Sequence, residues 1–152
     1  MSTRCCILIE SHDGDTPQAI YHHHDGYLEG MGAFLQWFAE RRIPQLINSN
    51  EDYYPPANIV NEVSKLMMVL TSELWAQGWS SGYSGYPTDL FESLRDTDWA
   101  YVYKLTIMQD GTVRVQWSDT GNSLPDWKDL PNDLKSYEVK IPGSKYPDPA
   151  KA

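Results

Sequence analysis

Apolar and polar positions along the chain recur with two different periods, and these periods divide it into strands, helices and connectors. Residues 4–10, RCCILIE, are a β-branched and apolar run that predicts a first strand. SHDGDTP (11–17) is a turn cluster of Asp, Gly and Pro, and QAIYHHH (18–24) reads as the returning strand. Together they predict an N-terminal hairpin with a loose, acidic loop. From Leu28 the period lengthens. Met31, Phe34, Leu35, Phe38 and Arg42 fall at helical spacing with Trp37 beside them, Gly30 and Gly32 weaken the start, and Pro44 predicts the end.

The second helix has the clearest stripe. Ile59, Val63, Leu66, Met67, Leu70 and Leu74 share one face, and Gly78 fits the position just past the C-terminus. WSSGYSGYPTD (79–89) reads as a flexible aromatic loop. Residues 98–119 predict a second hairpin. A two-residue Asp-Gly turn would oppose Ile107 and Arg114. A three-residue loop at 109–111 pairs 107 with 113, 105 with 115 and 103 with 117, keeps the apolar residues on one face, and puts Gly111 in the left-handed position of a bulge. Beyond Asp119 the chain is proline-rich and polar; LPNDLKSY reads as one helical turn and YEVKI as a short edge strand.

The order ββααββ predicts an α+β domain: an antiparallel sheet of about four strands, built from two hairpins, with both helices on one face. The domain is expected over 1–130, and 131–152 as an irregular, partly mobile extension.

Composition narrows the function classes. Six Trp and ten Tyr are many for 152 residues and provide large rings for a core or a binding surface. No run approaches the roughly 18 apolar residues of a membrane span. The N-terminus lacks the shape of a signal peptide, and Cys5 and Cys6 are adjacent and frame no disulfide, so a cytoplasmic location is expected. The net charge is −9. Residues 10–29 carry five acids and no Lys or Arg, residues 88–133 nine acids against four bases, and residues 134–152 four lysines against two acids. Such a surface repels nucleic acid, whose phosphates require clustered Lys and Arg. It suits a basic protein partner, and mimicry of DNA is the sharper form of that idea.

The run His22-His23-His24-Asp25 bears the clearest candidate chemistry. In a strand, His22 and His24 share one face, about 6.8 Å apart. A zinc site needs three or four ligands, and the additional ones would come from His12, Asp13, Asp15, Cys5 or Cys6, none at a recognised ligand spacing. His23 and Asp25, on the other face, could form an acid/base pair, although the nearby nucleophiles Ser11 and the cysteines carry no supporting motif. Structurally, Asp25-Gly26 turns the strand into the helix, and Gly26, Gly30 and Gly32 serve close packing or unusual backbone angles.

The opening STR and the pattern I-Y-x-H-x-D-G-Y-x-E-x-x-G resemble a group of small phage and prophage proteins whose second strand reads like IYCHWDGYPEHVG. Ser2, Thr3 and Arg4 match the opening, and Ile20, Tyr21, His23, Asp25, Gly26, Tyr27, Glu29 and Gly32 match the motif. His24 stands in place of a tryptophan and Leu28 in place of a proline. Tyr101-Val102-Tyr103 resembles the family's later strand. The likeness covers roughly the first 45 residues and implies an accessory protein of an infected or lysogenic bacterium. Because the family does not carry histidine at the positions of His22 and His24, it also implies that a metal site using both is not general.

Two expectations result. One is a non-enzymatic protein that binds and modulates or inhibits a host protein complex, such as a defence system, through Asp89, Glu92, Asp96, Asp98, Tyr83, Tyr86 and Trp79. The alternative is a small enzyme or ligand-binding domain with a pocket of Arg4, Tyr21, His23, Asp25 and Tyr27, with zinc on His22 and His24 as its metal-dependent form.

Overall fold

The computed structural model of the chain describes residues 3–49, 61–79, 83–85, 99–119 and 126–139. The strands are β1 (Arg4–Ser11), β2 (Gln18–His22), β3 (Tyr83–Gly85), β4 (Trp99–Ile107), β5 (Val113–Asp119) and β6 (Lys128–Asp129). They form one sheet in the order β3-β2-β1-β4-β5-β6. The α+β class holds, but the sheet is mixed: β1 and β4 are parallel, and every other pairing is antiparallel.

The helices lie between β2 and β3 in the chain. Both predicted helices are present. The first, α1, is a continuous helical stretch of four segments: Leu28–Gly32 and Phe38–Arg42 are π-helical, Ala33–Trp37 and Ile43–Ser49 α-helical. The second, α2, spans Val63–Ala76. The helical stretch begins where Gly26 bonds the backbone of Thr3, at the N-terminal end of β1. The first turn of α2 lies at the opposite end, against Asp15 of the β1–β2 turn. Past its C-terminus, Trp79 meets His22 at the first end again. Two helices, one out and one back, return the chain to the end where β1 starts, and there it re-enters the sheet as β3, with Tyr83 opposite Tyr21 of β2. β4 also starts at that end, with Trp99 beside Arg4, and so runs parallel to β1. Within β1, residues Cys5 to Ile9 are all buried, as expected of a central strand covered on both faces.

Pro44 does not end the first helix. It is the second residue of Ile43–Ser49, immediately after a π-helical turn. The Ile43 N–H bonds back five residues to the Phe38 carbonyl, and this wider π turn meets the proline, whose missing N–H and ring disrupt an ordinary α-helical ladder. The predicted loop at 79–89 also contains a short strand, β3, which pairs with β2.

The second hairpin has the expected register: Ile107 opposes Val113, Leu105 opposes Val115, Tyr103 opposes Trp117, and Gly111 has φ 88°. Both helices pack on one sheet face, over Cys5, Ile7, Ile9, Ile20, Tyr103, Leu105 and Ile107. Arg42, on the apolar stripe of α1, meets the buried Glu73 of α2 at 3.0 Å. The opposite sheet face is smaller: Cys6, Leu8, Ala19, Tyr21 and Val102, with Trp127 against them. Leu130, Tyr137 and Val139 of the C-terminal segment pack on the main core.

Candidate functional site

The strand-to-helix junction is built around its backbone. Asp25 adopts a left-handed conformation (φ 54°), and its carbonyl accepts from the N–H of Met31. A Cβ on Gly26 would lie 2.7 Å from the Cβ of Cys5, and one on Gly30 would lie 2.5 Å from the Asp25 carbonyl. Only glycine allows the chain to pass here. The buried Tyr103 hydroxyl donates to the Gly26 carbonyl at 2.6 Å and fastens the junction to β4.

The residues expected to line a pocket here have different surroundings. Tyr21 lies in the smaller cluster with its hydroxyl 2.9 Å from His23 Nδ1, Arg4 is half-buried, and Asp25 and Tyr27 are exposed. Partial burial first, then the Arg4 guanidinium and His24, hold His23 below the ordinary histidine range. The strand ends at His22, so the alternation that would pair His22 with His24 stops there. His22 is buried on the helix side against Trp79, while His24 is exposed with its ring edge-on to His23. Among the described residues, no group of three or more His, Cys, Asp or Glu comes together to hold a metal ion.

Of the residues expected to contact a partner, Asp89, Glu92, Asp96, Asp98 and Tyr86 lie outside the described residues. Tyr83 is described only as part of β3. Trp79 is half-buried and packs against the core. Gly78 takes φ 83°, its N–H donates to the Trp75 carbonyl, and the Trp79 N–H donates to the Leu74 carbonyl. This Schellman cap folds the chain back over the helix end. The Trp79 ring then packs against His22 and Phe34, and its Nε1 donates to the Tyr137 hydroxyl at 3.2 Å.

The outer side of α2 presents a different surface. Met68 is 70% exposed and Trp75 63% exposed. Seven residues apart, they lie about 20° from each other around the helix axis and about 10 Å along it. Both are well away from the buried stripe of Val63, Leu66, Met67, Leu70 and Leu74. Ser64, Thr71 and Ser72 share that side, and Lys65, one turn before Met68, borders it and pairs with Glu62 at 3.9 Å. At its N-terminal end, Ser64 borders an open depression lined by Asp13, Asp15 and Glu62. Asp13 forms an Asx turn with the N–H of Asp15, and that bond with further hydrogen bonds holds its carboxyl below the usual range. One surface thus joins an exposed tryptophan to a cluster of carboxylates. The signal was present in the sequence: Met68 and Trp75 are the large apolar residues of the helix that miss its stripe.

Among the described residues, no helix is long and apolar enough to cross a membrane. Comparison with protein-family models, with curated proteins and with solved structures finds no match to this chain.

Proposed function

We propose that this protein is a phage-type accessory protein that binds a basic surface of a host protein complex and modulates or inhibits it, with defence systems as the target class. The observation that supports this reading most is the outer face of α2, where Trp75 and Met68 stand 63% and 70% exposed on a side that ends in the carboxylates around Ser64. Tryptophan is among the residues most enriched at binding hot spots, where it fills an apolar pocket inside a polar rim. Asp13 and Glu62 supply one side of such a rim and would meet Lys or Arg on the partner. A net charge of −9 favours encounter with a basic partner and makes the association salt-sensitive. The likeness of residues 20–32 to the phage motif supports the biological setting, and Asp89, Glu92, Asp96, Asp98, Tyr83 and Tyr86 stay candidate partner contacts on their residue type alone.

The test is affinity capture from bacterial lysate at low and high salt with wild type, Trp75→Ala and Asp13→Lys/Glu62→Lys. The expected outcome is one complex that weakens with salt and is lost from both variants. Capture that is empty, or equal for all three proteins, would contradict the proposal.

A further inference from the structure

A second concave surface lies on another side of the molecule. It is a groove of about 420 Å³ between α1 and the segment that follows β6, a volume within the usual range for small-ligand sites. Its helical wall includes part of the π-helical turn Phe38–Arg42. Such turns often mark functional positions in helices.

The aromatic groups of the groove are held in place. Trp37 and Tyr137 both line it, with ring centroids 5.5 Å apart. Tyr137 is fixed at both ends: its ring packs edge-on against Phe34, and its hydroxyl accepts from Trp79 Nε1 at 3.2 Å and reaches the buried Gln77 at 3.5 Å. Around these rings stand Gln36, Glu40, Arg41 and Asn132. Glu40 and Arg41 are exposed and adjacent, and their charges cancel. A lone guanidinium beside a carboxylate is a poor phosphate site, and this many polar groups make a poor site for an aliphatic ligand. Planar amides, a carboxylate and a guanidinium each offer paired donors or acceptors to neighbouring hydroxyls. An aromatic ring offers an apolar surface to C–H groups.

We propose that this groove binds a small, uncharged polyhydroxy ligand of the monosaccharide class. The hydroxyls meet Gln36, Glu40, Arg41 and Asn132, and the C–H face of the sugar lies on the half-buried ring of Tyr137, beside the buried Trp37. This site is separate from the docking face on α2 and does not depend on it.

The test is a ¹H–¹⁵N NMR titration of the full chain with methyl glucoside, methyl galactoside and N-acetylglucosamine. Each is taken to roughly 20 mM, which covers dissociation constants into the millimolar range. Adenosine monophosphate and glutamine serve as anionic and zwitterionic comparisons. The expected result is saturable shifts of the Trp37 indole and the Gln36 and Asn132 side-chain amides with at least one sugar. In Glu40→Ala/Arg41→Ala, whose substituted side chains are exposed, the affinity should fall at least tenfold. No saturable shift with any of the three sugars, shifts unchanged in the variant, or tighter binding of the nucleotide or the amino acid would overturn the proposal.

Discussion

The carboxylate of Asp15 accepts a hydrogen bond from the backbone N–H of Val63 at 3.1 Å, across 48 residues of chain. The residue before α2, Glu62, makes no side-chain cap of its own. The acidic turn between β1 and β2 therefore caps a helix elsewhere in the fold, and it fixes the position of that helix's exposed face relative to Asp13. Asp15→Ala should destabilise the protein by about 1 kcal/mol, the usual value of an N-cap, and Asp15→Asn by less. Urea unfolding of the three proteins measures the difference.

Arg42 and Glu73 pair at 3.0 Å with side chains 11% and 8% exposed. Removing one partner leaves the other charge buried and unpaired. Arg42→Met alone, or Glu73→Leu alone, should cost about 3 kcal/mol, and the double substitution should recover most of that loss. A double-mutant cycle by chemical denaturation tests this; simple additivity of the two losses would refute the coupling.

Tyr103→Phe should cost roughly 1–3 kcal/mol, because it leaves the Gly26 carbonyl without its 2.6 Å donor at a buried junction. The loss should also appear as faster amide exchange at Gly26 and Met31. Burial of Tyr103 pushes its hydroxyl well above the ordinary tyrosine range, so no ionisation of this group is expected below the pH at which the fold is lost.

His22 has neither ring nitrogen hydrogen-bonded among the described residues, and it is buried against Trp79. Desolvation first, and then His24, lower its pKa; Asp25 and the backbone of His24 oppose the shift, and His23 adds a small further lowering. The unfolded chain therefore binds the proton more readily than the native one. Stability is fully present above about pH 6.5, the ordinary histidine value, and declines as pH falls below it, by at most about 1.4 kcal/mol per pH unit for one group. His22→Phe should flatten this part of the stability–pH curve measured by urea titration. A slope unchanged by the substitution would show that other groups carry it.

Cys5 and Cys6 are both fully buried, and desolvation pushes the Cys6 thiol up to about 12 and the Cys5 thiol well above its usual value. Neither should react with a thiol reagent in the native state at neutral pH, and both should react once the chain is unfolded. Time-resolved labelling read by mass spectrometry distinguishes the two states.

Local patterns were legible in the sequence where a glycine and a side-chain parity agreed. The β4–β5 register could be derived residue by residue because only the loop at 109–111 puts Ile107, Leu105 and Tyr103 against Val113, Val115 and Trp117. Gly78 likewise marked the end of α2. What could not be read depended on tertiary arrangement. Pro44 is a helix breaker by its own chemistry, and the π-helical turn before it is what lets the helix continue. The parallel β1–β4 pairing joins strands far apart in the chain and left no local signal, although the unbroken apolar run of Cys5 to Ile9 already carried the mark of a strand covered on both faces. Trp79 looked like a loop aromatic because its place against the core comes from the cap at Gly78. The exposed pair of Met68 and Trp75 was visible in the sequence, but its meaning required knowing which side of α2 the sheet covers.

The most direct test of the docking face is site-specific photo-crosslinking in bacterial lysate. One probe replaces Met68 on α2 and the other replaces Arg114, exposed on the sheet face away from the helices. The account predicts a discrete adduct with a host polypeptide from position 68, weakened by salt, and none from position 114. An adduct from 114 and not from 68, or the same products from both, would contradict it.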